Sequence, residues 1–541
     1  MHPSTSRTSL LVLPLAATAV LGTALPRAEQ IQWGECHIET NTTGLPVQCG
    51  KLSVPLDWSG KASDKTIELE LIKWPAAKQP APKGSILLNF GGPGGDGLNN
   101  FIGNVPLQAP IIGDEHDLIS WDPRGTRNTI PVICLESPPL NPDLLTYMTD
   151  WHNASDTTPA QLWAESSVLA QLCKAKLQEI GPYVGMASVS RDMMAIVDAL
   201  GEDGLLRYWG ISGGTALGAT VAAMFPERMD KVILDGVMNV HQYYNSLVET
   251  ELISNADDIL RGIFEACLEA GPKACPLASH GATCADLESK MDQLLLDLKY
   301  DQIPAVYLPL SSGLVVDYSM VLNWLFPELY TPRRYDAIVK VLEGLFRRDA
   351  TAFIEVVLAP LLASSSSANT STSASTSTPS AAPSAAPIVN AVWGIRCGDR
   401  RPRAASRQAL EPEIAELEAR SRWFAHFGLG TNSYLCAQWP SEAAERYAGD
   451  FTGVKTRNPV LFVGNTFDPV TPLRSAHNMS SGFEGSVVLQ HDSYGHVSFY
   501  TQRSNCTDLA IHEYLSEGKL PAKDTVCKPN SPIIDYVTGK V

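Results

Sequence analysis

The sequence predicts an α/β fold, a mostly parallel sheet flanked by helices and interrupted by a large, mainly helical insertion. Three observations carry this. Apolar strand-like runs ending in Gly-rich or charged turns alternate with helix-like segments through residues 25–239 and again through 455–541. Residues 240–454 are different, with long helical patterns and few buried strand-like runs. Third, Leu205 to Leu217 reads as a strand that turns abruptly at Ser212 between glycines and re-enters as a helix.

In chain order, residues 1–24 have the pattern of a cleavable signal peptide: one Arg in Met1 to Arg7, a mostly apolar Ser9 to Leu21, then small Gly22-Thr23-Ala24. Strands open the core at Gly50 to Trp58 and in the alternating Thr66 to Ile72. Ser85 to Phe90 is a buried strand that empties into Gly91-Gly92-Pro93-Gly94-Gly95, a loop whose glycines let backbone N–H groups approach an oxyanion. An ordinary Gly-Pro turn is the competing reading. Asp117 to Gly125 is a further strand with a charged turn, where an ion pair between Asp122 and Arg124 would brace the glycine loop; a solvated turn explains the pair as well. Helical spacing covers Pro159 to Ile180 and Arg191 to Leu200.

Within the insertion, Leu252 to Leu268 and Ala285 to Leu298 read as helices, and residues 364–387, almost entirely Ser, Thr, Ala and Pro, are expected to be disordered. The strand pattern returns at Pro459 to Gly464 and at Ser486 to Gln490.

Gly210-Ile211-Ser212-Gly213-Gly214 satisfies G-x-S-x-G, the turn that lifts a nucleophilic serine above a sheet edge. On the pentapeptide alone, a turn without chemistry explains the residues equally well. The two late strands then deliver Asp468 and His496 on successive loops. Taken singly, Asp468 reads as a turn residue before Pro469 and His496 as a loop histidine. Taken together, the order Ser212, Asp468, His496 is the one used by α/β-hydrolases, which makes these the candidate catalytic residues and the amides of Gly91, Gly92 and Gly213 the candidate oxyanion hole.

A formal charge of −17 over 541 residues argues against nucleic acid and anionic membranes as partners, and no later run of about 20 apolar residues offers a membrane span. The 11 cysteines are scattered without zinc-site spacing and point to disulfides and an exported protein. Pairing by proximity joins Cys36 to Cys49, Cys134 to Cys173, Cys397 to Cys436 and Cys506 to Cys527, and leaves Cys267, Cys275 and Cys284 to supply one bridge and one spare. Sequons at Asn41, Asn153, Asn369, Asn478 and Asn505 are glycosylation acceptors if the export pathway is eukaryotic.

The chain resembles the α/β-hydrolase peptidases that include prolyl aminopeptidases and secreted tripeptidyl aminopeptidases. The resemblance covers most of the mature chain and rests on Val54-Pro55-Leu56-Asp57, the Gly91 to Gly95 loop, Asp122-Pro123-Arg124-Gly125, the Ser212 elbow, Asp468-Pro469-Val470-Thr471-Pro472 and Gly495-His496. The late cysteines Cys397, Cys436, Cys506 and Cys527 sit where the tripeptidyl branch carries cysteines. The family's usual His or Pro before the glycine loop is Phe90 here, Gly213 replaces a common Tyr, and Thr126-Arg127-Asn128 departs from the family's arginine loop. The resemblance implies a secreted serine exopeptidase acting at peptide N-termini, without metal or organic cofactor. An esterase, lactonase or amide hydrolase acting on a small metabolite is the alternative, and a non-catalytic binding protein a third class. Because an N-terminal ammonium under a lid needs a carboxylate, Glu249 and Glu251, with Asp257 and Asp258, are the candidate substrate-binding residues on the first helix of the insertion.

Overall fold

In the computed structural model of the chain, residues 30–36, 44–60, 64–134, 149–307, 312–359 and 386–541 are described. The signal peptide, Asn41, Asn369 and nearly all of the Ser/Thr/Ala/Pro segment lie outside them. Ala386 and Pro387, assigned to that segment from the sequence, instead begin a helix.

Among the described residues, strands β1 (Gln48–Pro55), β2 (Thr66–Trp74), β3 (Ser85–Asn89), β4 (Asp117–Trp121), β5 (Leu206–Ile211), β6 (Met229–Asp235), β9 (Leu461–Phe467), β10 (Val487–Tyr494) and β11 (Val526–Cys527) form one sheet in the order β1-β2-β4-β3-β5-β6-β9-β10-β11. The β1/β2 and β2/β4 pairs are antiparallel and every pair from β4 onward is parallel. The sequence explains the split. In β3 and β4 every residue is buried, as expected of strands covered on both faces, whereas β1 alternates buried and exposed positions because one of its faces is wet.

Helices α1 (Gly97–Ile112), α2 (Thr158–Lys176), α3 (Met186–Leu200) and α4 (Gly213–Met224) follow the early strands. One apolar cluster joins Leu98, Phe101 and Val105 of α1 to Ile86, Leu88, Trp209 and Ile211; the opposite face packs Met193 and Ile196 of α3 and Ala216 and Leu217 of α4 on Leu206 and Tyr208. The alternation of Tyr208 and Trp209 between the two clusters is the period of two of a strand. The Asp122–Arg124 ion pair expected from the sequence does not form. Asp122 accepts the Gly97 and Leu98 amides at the start of α1 (2.8 and 3.2 Å), while the buried Arg124 grips Asp192 of α3 and the Pro55 and Leu56 carbonyls. Each side chain is engaged by a different segment, which a turn pattern cannot reveal.

Between β6 and β9 come α5 (Val240–Asn245), α6 (Ala256–Ala270), α7 (Cys284–Tyr300), a hairpin of β7 (Ile303–Tyr307) and β8 (Ser312–Val316), α8 (Tyr318–Glu328), α9 (Tyr335–Phe346), α10 (Ala386–Asp399) and α11 (Glu411–Arg420). Most of these share a separate apolar cluster, which also takes in Trp151, Leu162 and Val537. Trp393, Cys397, Trp439 and Phe451 pack on the sheet's cluster instead, so the packing does not follow the chain boundaries at 240 and 454. After β9 come α12 (Leu473–Ser480) and, beyond β10, α13 (Asn505–Glu517). Disulfides join Cys36 to Cys49, Cys134 to Cys173, Cys267 to Cys275, Cys397 to Cys436 and Cys506 to Cys527, and Cys284 is free. No helix among the described residues is long and apolar enough to cross a membrane.

Candidate active site

Ser212 stands between β5 and α4 with φ 52° and ψ −124°, a conformation costly for a residue with a Cβ and characteristic of a strained elbow. Its amide donates to the Asp235 carbonyl (3.0 Å) and its carbonyl accepts from Thr215. Close approach requires the flanking glycine: a Cβ on Gly214 would lie 2.6 Å from Asn89 Oδ1. The glycine loop is pressed against the elbow, since a Cβ on Gly91 (φ +83°) would lie 2.8 Å from the Gly213 nitrogen and 2.9 Å from Ser212 Cβ. Of the three amides singled out for an oxyanion hole, Gly91 is corrected: its N–H donates to Asn89 Oδ1 (3.0 Å). Gly92 and Gly213 are left for that role.

Asp468 follows directly on β9, and His496 lies two residues beyond β10. His496 Nδ1 is 2.9 Å and 3.0 Å from the two Asp468 oxygens, and Thr471 Oγ1 lies 3.0 Å from the same nitrogen. Asp468, fully buried, also accepts the Val470, Thr471 and Val497 amides, so its orientation is held by backbone as well as by the imidazole. Gly236, the residue after the carbonyl that holds the Ser212 amide, faces the imidazole: a Cβ there would lie 3.3 Å from His496 Cε1. Behind it, burial pushes the Asp235 carboxyl up to about 6 against the opposing effect of the Ser498 amide and hydroxyl that donate to it. The insertion reaches the site through Tyr330, whose carbonyl accepts the His496 amide (2.7 Å) and whose half-buried ring stands edge-on to the imidazole at 5.0 Å.

Ser212, Gly92, Tyr330, Glu249, Arg396 and Arg400 share the wall of one cavity of about 190 Å³, completed by mostly apolar residues of the insertion with polar Asn432 and Ser433, and by Met238, Val470 and Thr471 of the core. Glu249 and Glu251 do not lie on the first long helix of the insertion, as the sequence suggested, but in the turns before α6. Glu249 accepts from Arg396 and Arg400 through a single oxygen, Oε1. Burial pushes its carboxyl up, but the two guanidinium charges more than offset this and hold it below the usual carboxylate range. Glu251 is outside this cavity and is spent on Asn239, Ser475, Asn478 and Arg474, tying the insertion's start to α12. Asp257 accepts the Ser421 hydroxyl and the Arg422 amide, and Asp258 pairs with Arg261. Among the sequons, the Asn478 amide nitrogen, where a glycan would attach, donates to Glu251 (2.6 Å); Asn153 accepts from Tyr318; Asn505 is exposed. Among the described residues, no group of three or more His, Cys, Asp or Glu is placed to hold a metal ion.

The family models for the α/β hydrolase fold and for TAP-like protein match residues 84–262 and 424–527. The chain is 26% identical over 515 residues to serine protease Hip1 of Mycobacterium tuberculosis, covering 92% of this chain and 91% of that protein. It is 23% identical over 533 residues to the tripeptidyl aminopeptidase of Streptomyces lividans, covering 95% and 90%. The chain has the α/β-hydrolase fold and is similar to peptidases of the tripeptidyl aminopeptidase type. It is a serine hydrolase. The sequence reading of this hydrolase missed Tyr330, Arg396 and Arg400. The two arginines sit four residues apart, Arg396 in the last turn of α10 and Arg400 just beyond its end, a visible spacing, but their partner Glu249 is 147 residues from Arg396.

Proposed function

We propose that the protein is a secreted serine exopeptidase that releases amino acids or short peptides from peptide N-termini through an acyl-enzyme. The observation that carries this reading is the cavity beside Ser212 and Gly92, which at about 190 Å³ and under the insertion suits the end of a chain rather than a continuous strand. Ser212 Oγ attacks the carbonyl carbon, His496 takes its proton and passes it to the leaving amine, and Asp468 holds the imidazole with Nδ1 protonated. The Gly92 and Gly213 amides receive the oxyanion, each lowering the barrier by about 3 kcal/mol. The water that hydrolyses the acyl-enzyme is activated by the same histidine. Peptidases named among the relatives and the five disulfides support the peptide substrate and the exported setting.

The test is a pair of tripeptidyl arylamides, free and N-acetylated, assayed beside a short-chain acyl ester. The free peptide is hydrolysed and acetylation abolishes cleavage or raises KM steeply. Equal cleavage of both forms rules out the exopeptidase, and turnover of the ester alone favours the small-metabolite hydrolase. A fluorophosphonate labels the wild-type protein and fails on folded Ser212→Ala; labelling of that variant overturns the nucleophile.

A further inference from the structure

The wall of the Ser212 cavity carries three charged side chains, Glu249, Arg396 and Arg400, and they do not balance. Arg396 donates to Glu249 Oε1 through Nε (3.1 Å) and Nη2 (2.5 Å), and Arg400 through Nη2, so one carboxylate oxygen is shared by two guanidiniums. Arg400 spends Nη1 on the Leu247 carbonyl (3.0 Å), and its Nε, with the residue 1% exposed, is buried without a partner. A buried N–H left unmet is costly unless something else fills the place. The remaining acids nearby do not supply it. Glu413 takes the Val248 amide, Asp399 takes the Met186 amide and the Tyr243 hydroxyl, and neither lines the cavity. Glu249, shared between two guanidiniums, is not free to bind the N-terminal ammonium it was expected to bind, and the charges lining the cavity leave one positive charge in excess there, with Glu413 acting on Arg400 from outside it.

Helix α10 fixes the distance of this charge from the chemistry. Its Val392 is packed on the glycine loop, where a Cβ on Gly94 would lie 2.7 Å from the Val392 nitrogen. At 1.5 Å rise per residue, Arg396 stands about 6 Å further along, and Arg400, just past the end of α10, brings its guanidinium to the same Glu249 oxygen. Substrate residues in an extended chain advance about 3.3–3.6 Å each, so a charge about 6 Å from the glycine loop lies within the reach of about two residues.

We propose that Arg396 and Arg400, only half neutralised by Glu249, form a carboxylate-binding subsite that selects an acidic side chain within the N-terminal residues of the peptide. The inference rests on the exopeptidase reading and adds the class of substrate. Arg is suited to the task because its planar fork meets a carboxylate with two donors. A free C-terminal carboxylate of a very short peptide has the same chemistry, and the experiment separates the two sources.

The experiment measures binding of tripeptides to Ser212→Ala by calorimetry, and turnover of the matching arylamides by the wild type. The tripeptides differ only by Glu or Gln at each position, with free or amidated C-termini. A Glu peptide with an amidated C-terminus binds at least tenfold more tightly than its Gln counterpart, and its arylamide has a correspondingly lower KM. Glu249→Gln, which removes the competing carboxylate, enlarges that preference; Arg396→Met erases it, and Arg396→Lys, which keeps the charge in case the Met variant fails to fold, retains a weakened preference. Equal affinity for Glu and Gln peptides overturns the proposal, as does a preference that follows the free C-terminus. Glu249→Gln that raises KM for every free-amine peptide while leaving the Glu/Gln ratio unchanged makes Glu249 an ammonium anchor and also overturns it. If N-acetylated Glu peptides bind as tightly as free ones, the exopeptidase reading fails and the carboxylate subsite stands.

Discussion

Replacing Asp468 with Asn removes one charge and exchanges one acceptor for a donor in a site where every contact is known. Asp468 Oδ1 accepts from Val470 and Thr471 amides at 3.0 and 2.8 Å, and Oδ2 from the Val497 amide at 3.3 Å, while both lie within 3.0 Å of His496 Nδ1. The asparagine oxygen must stay with Val470 and Thr471, because two N–H donors converge there. Its NH2 then faces the Val497 N–H and His496 Nδ1. The first contact loses a hydrogen bond at a buried amide, costing about 1–3 kcal/mol. The second sets an N–H donor against Nδ1 at the shorter of its two contacts and so favours an unprotonated Nδ1, with the ring proton on Nε2 and no base toward Ser212. The expected loss in kcat is about 10,000-fold with KM little changed. Arylamide kinetics measure it, with circular dichroism melts to show that the variant is folded. A folded Asp468→Asn enzyme that keeps a tenth of wild-type kcat refutes this reasoning.

Two further outcomes concern stability. Asp192→Asn leaves Arg124 buried without its counter-charge, though the Trp58 indole bond (2.9 Å) can survive, and should cost about 3–5 kcal/mol in a urea unfolding titration; a change under 1 kcal/mol contradicts the role assigned to the pair. The stacked, buried rings of His152 and His426 are held by burial at about 4 and about 3, well below the ordinary 6.5. The unfolded chain therefore binds protons that the folded chain refuses, so their contribution is complete above about pH 6.5 and is lost as pH falls toward about 4 for His152 and about 3 for His426. His426→Phe, which keeps a ring against His152, should flatten the fall in melting temperature between pH 7 and pH 4.5. An unchanged slope assigns that acid sensitivity to other buried histidines, of which His116 and His491 are also held at about 4.

The sheet was legible because its strands are written locally. Ser85 to Asn89 and Asp117 to Trp121 are short apolar runs closed by glycine or charge, and the chain order of Asp468 and His496 after two such runs is enough to bring them to adjacent loops. What depends on distant partners was not legible. Asp122 and Arg124 are neighbours in a turn and looked like partners of each other, yet one caps α1 and the other holds α3. The first long helix of the insertion was expected from Leu252, but it begins at Ala256, because the preceding segment is held in turns by hydrogen bonds of Glu251 to Asn239, Ser475 and Asn478. Helical periodicity records apolar spacing and is blind to a buried carboxylate that organises the chain ahead of it.

The insertion cannot be treated as a lid laid over a finished active site. The His496 amide donates to the Tyr330 carbonyl, and a Cβ on Gly495 would lie 2.7 Å from that oxygen, so the loop carrying the proposed base is shaped against the end of α8. On the other side, α10 brings Val392 to the glycine loop and Arg396 to the cavity on one rigid helix. Moving α10 to admit a substrate would therefore also move a support of the glycine loop. The cavity wall and the proposed catalytic loops share these two supports. A change at Tyr330 or along α10 should accordingly alter kcat together with KM, whereas a group that only bound substrate and transition state equally would alter KM alone.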